Sequence, residues 1–379
     1  MDIIQRAFLE LLRGGLWEQN VDLREYRLTD FAEILRLATE QSVIGLVAAG
    51  LEHIKDVKVP KEWALQFIGA TLQIELRNKE MNEFVARLIE LLRENDIYAI
   101  LVKGQGIAQC YEKPLWRACG DVDLFLSEDN YKKAKEILVP LATSIESENE
   151  YTKHLGMVID GWEVELHGNI RSGLSKKIDK GLDKIAKDVF YGGNVRSTQF
   201  QGSSSSNVQV FLMAADVDVV YIFTHILQHF FKGGIGLRQV CDWCRLMYAY
   251  CDKLDLRALE ARIKRMGLMS EWRVFATLAV QYLGAPAEAM PLFGSSTQEI
   301  QKFNGKAGKV MRMILETGNF GHNRDESYRQ KYNGFVKRAI SVWRYTQEGL
   351  RHFMIFPKES VTVWFRQMKT GIRASCAKW

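Results

Sequence analysis

Apolar residues recur at three- and four-residue spacing through much of residues 1–95. The runs IIQRAFLELL and FAEILRLATEQSVIGLVAAGLEHI therefore predict amphipathic helices. Lys58-Val59-Pro60-Lys61 marks a break, with Pro60 near the start of a long helix that runs from about Trp63 through LQIELRNKEMNEFVARLIELLRE to about Asn95. From residue 96 the pattern changes. IYAILV is a short β-rich run that ends in Lys103-Gly104-Gln105-Gly106, and IAQCYE reads as a short helix that Pro114 ends. DVDLFL, Asp121 to Leu126, is a second strand, followed by a helix from about Glu128 to Leu138 with Ser127 as its cap. Residues 143–170 read as strands around two turns, the second being Asp160-Gly161. In WEVELH, Glu163, Glu165 and His167 share one face, while Trp162, Val164 and Leu166 share the other. GSSSSN, residues 202–207, reads as a hairpin tip or short linker. With Asp216 as an N-cap the chain then turns helical, with breaks at Gly233-Gly234, Gly284–Pro286, Pro291 and Gly318–Gly321. The pattern predicts an α+β fold. A small mixed sheet at 96–207 is flanked by a helical N-terminal subdomain, 1–95, and a helical C-terminal subdomain, 208–379.

Composition narrows the class without changing this outline. The 379 residues are 47% apolar and 26% charged, as in ordinary globular chains. A net charge of +5 and a pI near 8.7 permit an anionic substrate. No long Lys/Arg block appears, and no basic tract with interleaved aromatics lies near the core, which argues against nucleic acid as acceptor. The first residues form an amphipathic helix containing charges, not a secretory signal. No window approaches the roughly 18 apolar residues of a membrane span, so a cytoplasmic protein is expected. The 6 cysteines lack a disulfide-framework spacing. Cys241-x-x-Cys244 is a lone pair in a helical segment and reads as buried thiols rather than a zinc site. The C-terminal Trp, Arg and Lys residues read as a core stripe with a solvated basic face. A docking surface for a membrane, a partner or an anionic polymer is the alternative.

The candidate chemistry centres on Asp121 and Asp123. At spacing two on a strand they point the same way and repel unless a cation lies between them. Glu146/Glu148 and Asp216/Asp218 repeat the spacing but lack the setting: a strand ending in a Lys-Gly turn before, and another acidic strand after. A glycine turn presents backbone N–H groups to phosphate, and paired carboxylates hold Mg²⁺ for phosphoryl transfer. Glu165 is the expected third carboxylate, with Glu163 as fallback on the same face. Lys103 is either a strand-end lysine or a phosphate contact. Arg117 pairs with an acid such as Asp121 or holds a triphosphate bidentately. His167 reads as orienting a carboxylate rather than as a base. His225 and His229 read as a core contact or pocket wall rather than zinc ligands, and Arg238 with Asp242 as a helix pair. Gly318–Asn323 is either a connector or a substrate-contacting loop.

The stretch LVKGQGIAQCYEKPLWRACGDVDLFL resembles the core motif of the uncharacterised bacterial nucleotidyltransferase family, of the DNA-polymerase-β-type superfamily. The matching residues are Lys103-Gly104, Tyr111, Pro114, Arg117 and Gly120-Asp121-Val122-Asp123-Leu124, then Glu165-Leu166-His167. A helical His225, His229, Leu237, Arg238, Asp242 series follows. The resemblance covers about 95–250. It implies a Mg²⁺-dependent transfer of a nucleoside monophosphate from an NTP to a small molecule, sugar or protein. Asp121 and Asp123 would ligate two Mg²⁺ and Glu165 would complete the catalytic metal site. Lys103, Gly104, Gln105 and Gly106 would hold phosphates, with Arg117, His167 and Arg238 also on the nucleotide. Gln105 stands where the superfamily prefers Ser or Gly, and Glu165 where many relatives carry Asp. A nucleotide-binding or scaffold protein without turnover is the alternative. A helical interaction protein with a chance acidic strand is a third reading.

Overall fold

A computed structural model describes residues 1–26, 30–201, 207–294, 297–323, 331 and 333–376. The serine-rich tip at 202–206 lies outside the described residues. The N-terminal helices are α1 (Ile3–Trp17), α2 (Phe31–Glu40), α3 (Ile44–Glu52) and the long α4 (Lys61–Glu94), which has Pro60 as its N-cap. Next come β1 (Ala99–Val102), the short α5 (Gly104–Ala108), β2 (Asp121–Leu126) and α6 (Glu128–Leu138). Strands β3 (Ser144–Ile145), β4 (His154–Ile159) and β5 (Trp162–His167) follow, then α7 (Lys176–Tyr191), β6 (Val195–Gln201) and β7 (Asn207–Met213). The remaining helices are α8 (Ala215–Lys232), α9 (Leu237–Ala249), α10 (Leu256–Met266), α11 (Met269–Leu283), α12 (Thr297–Thr317), α13 (Gly334–Phe353) and α14 (Pro357–Cys376).

The fold is α+β. Among the described residues, seven strands form one mixed sheet in the order β3-β4-β5-β2-β1-β7-β6. β2 runs antiparallel to β1 and parallel to β5, and β1 runs parallel to β7. Period-two alternation gives the sheet two apolar faces. Leu101, Val122, Leu124, Val164, Leu166 and Leu212 pack with Met81, Phe84, Val85 and Leu88 of α4 and with Tyr131 and Leu138 of α6. On the other face Ile100, Val102, Phe125 and Met213 join the core built on α7, α8 and α9. The N- and C-terminal helices share that core. Trp17 Nε1 donates to the Leu283 carbonyl at 2.6 Å, and Arg13 Nε to that of Tyr282 at 2.9 Å.

Several local expectations change. The short helix falls at Gly104–Ala108, starting ahead of the IAQCYE segment and taking in only its first two residues. Gly106 lets it lie against β7, because a Cβ there would stand 2.7 Å from Leu212 Cδ2. α8 begins one residue before Asp216, with Ala214 as N-cap, and Asp216 pairs with Arg262 at 2.7 Å. The sheet runs to Met213, past position 207, because β7 pairs with β1 in its centre. α7 and the β6–β7 pair complete the layers. At the C-terminal end, Ile355, Phe356 and Val363 are buried, whereas Trp343, Leu350, Met354 and Phe365 stay exposed. Among the described residues no helix is long and apolar enough to cross a membrane.

One close approach ties the N-terminal helices to the central sheet's loops. A Cβ on Gly45, near the start of α3, would stand 2.0 Å from the Trp116 carbonyl oxygen, which is backbone and cannot yield. Gly45→Ala is therefore expected to cost about 1–3 kcal/mol despite its better helix propensity. Urea unfolding checks this, and an unchanged midpoint would show that the contact is loose.

Candidate active site

The register of the sheet assembles the acidic cluster. Val102 lies opposite Asp123 in the antiparallel pair, and Asp121 and Asp123 lie opposite Glu163 and Glu165 in the parallel pair. Opposed strand residues share a face, so β2 and β5 deliver their carboxylates to one patch, with Lys103 just beyond the end of β1. Asp121, Asp123 and Glu165 bring carboxylate oxygens within 4.8 Å of one another. Glu163 lines the cleft beside Asp121 at its exposed rim.

Asp123 is 2% exposed, so its charge needs partners. Lys103 Nζ stands 2.5 Å and His167 Nε2 2.7 Å from Asp123 Oδ1. Burial still pushes the Asp123 carboxyl up to about 6, against the pull of Lys103 and with the push of Asp121. Lys103 holds its position through an unusual backbone, φ 59° and ψ −145°, a conformation that ordinarily favours glycine. Such strain costs of order 1–3 kcal/mol and is kept where the surroundings over-determine it. Burial disfavours the Lys103 ammonium, but Asp123 more than offsets this and keeps it protonated. Burial likewise works against the Glu165 carboxylate. Hydrogen bonds from His154 and His167 and the charge of Lys103 nevertheless hold it below the usual carboxylate range. His154, on β4, had no place in the sequence reading. Its Nε2 lies 3.0 Å from Glu165 Oε2.

A cleft of about 190 Å³ opens beside the cluster. Lys103, Gly104, Asp121, Asp123, Arg117, Arg238, Asp242, His225 and Phe320 are among its lining residues. Of the expected phosphate contacts, Lys103, Gly104 and Arg238 reach it. Gln105 does not. Its side chain is buried, with Nε2 directed to Asn78 Oδ1 at 3.2 Å and Oε1 accepting from Cys119 Sγ at 3.3 Å. Gly106 faces Leu212 rather than the cleft. His167 is engaged with Asp123 and Glu165, so it orients carboxylates.

Arg117 lines the cleft, yet its charge is already engaged. Its Nε donates to Asp242 Oδ1 at 2.9 Å and its Nη2 to Oδ2 at 2.6 Å, in a buried bidentate pair. The Tyr111 hydroxyl donates to the same carboxylate at 2.7 Å. The partner is thus Asp242 of α9, not Asp121 and not a surface acid. Burial disfavours the Arg117 charge, but Asp242 more than compensates. The segment around it is pinned from α4 and α9. Asn78 Nδ2 donates to the Leu115 and Arg117 carbonyls at 2.8 Å, and Arg245 Nε to that of Cys110 at 2.8 Å.

Asp242 is therefore taken, and Arg238 is not its helix partner. Arg238 Nη1 donates to the Ala118 carbonyl at 2.6 Å, while its buried Nε meets no acceptor. Arg238 makes no ion pair among the described residues, and a guanidinium so placed on the cleft wall suits an anion. His225 lines the cleft and stacks edge-on against His229 at 4.4 Å. Neither belongs to a metal-ligating group among the described residues. Phe320, in the Gly318–Asn323 turn, reaches the cleft and packs edge-on against His229 at 5.0 Å. Asn319 fixes that turn by accepting from Gln239 at 2.7 Å and donating to Ser42 at 2.8 Å. Cys241 and Cys244 are buried in α9, where burial pushes both thiols up.

With this geometry in hand, comparison with known proteins is informative. A family model described as uncharacterised nucleotidyltransferase matches residues 28–284. The chain belongs to that family. No curated protein and no solved structure was found to match it. The nucleotidyltransferase match spans α2 through α11 and so includes every side chain of the acidic cluster.

His225 on the cleft wall and its neighbour His229 give a pH test. Burial, with Lys103 and Lys232 nearby, pushes His229 from 6.5 down to about 4, and His225 is also pushed well down. Between those values the unfolded chain binds protons that the folded chain excludes, so stability falls as pH drops through the window. His229→Gln is expected to reduce that acid-side loss by about 1–3 kcal/mol at the lower end. Denaturant midpoints from neutral pH downward check it, and parallel curves for the two proteins would contradict it.

Proposed function

We propose that this protein moves a nucleoside monophosphate from an NTP to an acceptor hydroxyl or phosphate, in a Mg²⁺-dependent reaction that releases pyrophosphate. The observation that carries the reading is the convergence of Asp121, Asp123 and Glu165 beside a cleft containing Lys103 and Arg238. The donor set fits a hard cation. Three carboxylates supply oxygen ligands, the type Mg²⁺ takes, while Lys103 and His167 only partly balance their charge. When bound, Mg²⁺ supplies Lewis-acid charge stabilisation at the phosphates and at the attacking oxygen.

The chain's own residues then divide the work. Asp121, Asp123 and Glu165 are the metal ligands. Lys103 and Arg238 carry the triphosphate charge from two sides of the cleft. Gly104 lets the backbone approach without a side chain in the way. Transfer forms a bond from the acceptor oxygen to the α-phosphorus and breaks the bond to the pyrophosphate oxygen. The acceptor's proton leaves to a neighbouring carboxylate or to water. His225, held neutral, adds no charge to the cleft wall, and Phe320 also lines it. The acceptor is a small molecule, a sugar or a protein.

A second reading, nucleotide binding without turnover, draws on Gln105. Its amide is committed to Asn78, so the phosphate turn offers no side-chain donor other than Lys103. Pyrophosphate release across a panel of NTPs and acceptors separates the two readings.

Nucleotide affinity measured with and without Mg²⁺ tests the proposal. Asp121→Asn and Asp123→Asn are expected to abolish the Mg²⁺-dependent gain, and equal gains in wild type and variants would contradict it. Arg238→Ala is expected to weaken NTP binding by about 10- to 100-fold, the loss of charge-assisted hydrogen bonds.

A further inference from the structure

A second cluster shares Glu165. His154 Nε2 lies 3.0 Å and His167 Nε2 3.3 Å from the same oxygen, Glu165 Oε2. All three ligand atoms fall within 4.8 Å of one another. The sheet builds this arrangement directly. His154 and His167 are cross-strand partners on β4 and β5, so their rings emerge on one face, with centroids 4.9 Å apart. Opposite Glu165 stands Gly156, which has no side chain to fill that face, and the Glu146 carboxylate occupies the space a Cβ would need.

We propose that His154, His167 and Glu165 form a second divalent-metal site, for a borderline cation of the Zn²⁺ or Co²⁺ type, adjoining the carboxylate centre. Four-coordinate zinc with ligands at about 2.0–2.1 Å keeps its ligand atoms roughly 3.3 Å apart. The two measured imidazole–carboxylate separations match that edge within a few tenths of an ångström. Two imidazoles select against Mg²⁺, which prefers oxygen and near-octahedral geometry, and favour Zn²⁺ or its relatives. The His154 and Glu165 side chains are 29% and 30% exposed, so a cation can enter from solvent. Three protein ligands leave a position for water or substrate, the pattern of a catalytic rather than a structural zinc site. Glu165 would then bridge two unlike cations, the hard one on the aspartates and the softer one on the histidines. The proposal rests on the reading above for the role of Glu165, whereas the histidine geometry stands without it. The competing account is that the imidazoles only hydrogen-bond to carboxylates, His154 to Glu165, and His167 to Asp123 at 2.7 Å and to Glu165.

Metal-free protein without an affinity tag is titrated with Zn²⁺ against a chromophoric chelator, in the absence of nucleotide. The comparison uses Asp121→Asn, which weakens the carboxylate centre, and the double variant Asp121→Asn/His154→Gln, in which the glutamine can still donate to Glu165. The single variant is expected to retain one Zn²⁺, and the double variant to bind it at least about tenfold more weakly. Equal Zn²⁺ affinity in the two variants overturns the proposal. Pulsed EPR of the Cu²⁺-loaded wild type gives an answer independent of variant folding. Nitrogen couplings from two imidazoles are expected, and an all-oxygen signature overturns the site. Because no nucleotide is present, failure here leaves the nucleotidyltransferase reading intact, and loss of Mg²⁺-dependent nucleotide binding in Asp121→Asn leaves the histidine site intact.

Discussion

The structure is organised by one electrostatic constraint: an almost fully buried Asp123 beside Asp121 and Glu165. Carboxylates this close oppose one another's ionisation unless cations hold them. The fold answers with Lys103 at the end of β1 and His167 at the end of β5, one on each neighbouring strand. Both answers depend on register. A one-residue slip of β5 against β2 would send Glu165 and His167 into the apolar layer under α4 and bring Val164 and Leu166 to the site. The hydrophobic face of the sheet thus fixes the chemistry of its polar face. Lys103 follows the strand in a backbone conformation that ordinarily favours glycine, and its ion pair with Asp123 helps hold it there.

A second network supports the first. Tyr111 and Arg117 converge on the buried carboxylate of Asp242. Their convergence locks the segment between α5 and β2 onto α9. Breaking such a pair leaves an uncompensated buried charge, at a cost of about 3–5 kcal/mol. In this chain Arg117 therefore serves the shape of the cleft. Arg238, one turn before Asp242 on the same helix, is left with a buried donor unmet and faces the same space. The division of labour between the two arginines comes from which of them Asp242 can reach.

The α+β class and the acidic face were legible because strand alternation is a strict geometric rule, and Asp121, Asp123, Glu165 and His167 obey it. The Asp160-Gly161 turn and the Ser127 cap were legible for the same reason, being local backbone chemistry. Other elements carried signals that went unread. α7 has Ile178, Leu182, Ile185 and Val189 at helical spacing behind a Ser175 cap, set among many lysines. β6 and β7 alternate, but a polar serine tract separates them. Long-range pairings could not be read from spacing. Arg117 with Asp242 and His154 with Glu165 join residues far apart in sequence. Gln105 sits in the expected turn, but its direction depends on Asn78 of α4, which no local pattern reveals.

The account's central claim is that Asp121, Asp123 and Glu165 hold the cation that meets a triphosphate. A crystal structure with Mg²⁺ and a non-hydrolysable NTP analogue tests it most directly. The account expects Mg²⁺ bound by oxygens of these three residues, with the triphosphate running between Lys103 and Arg238. A nucleotide bound elsewhere on the molecule, or bound in the cleft with no cation on Asp121 and Asp123, would contradict it.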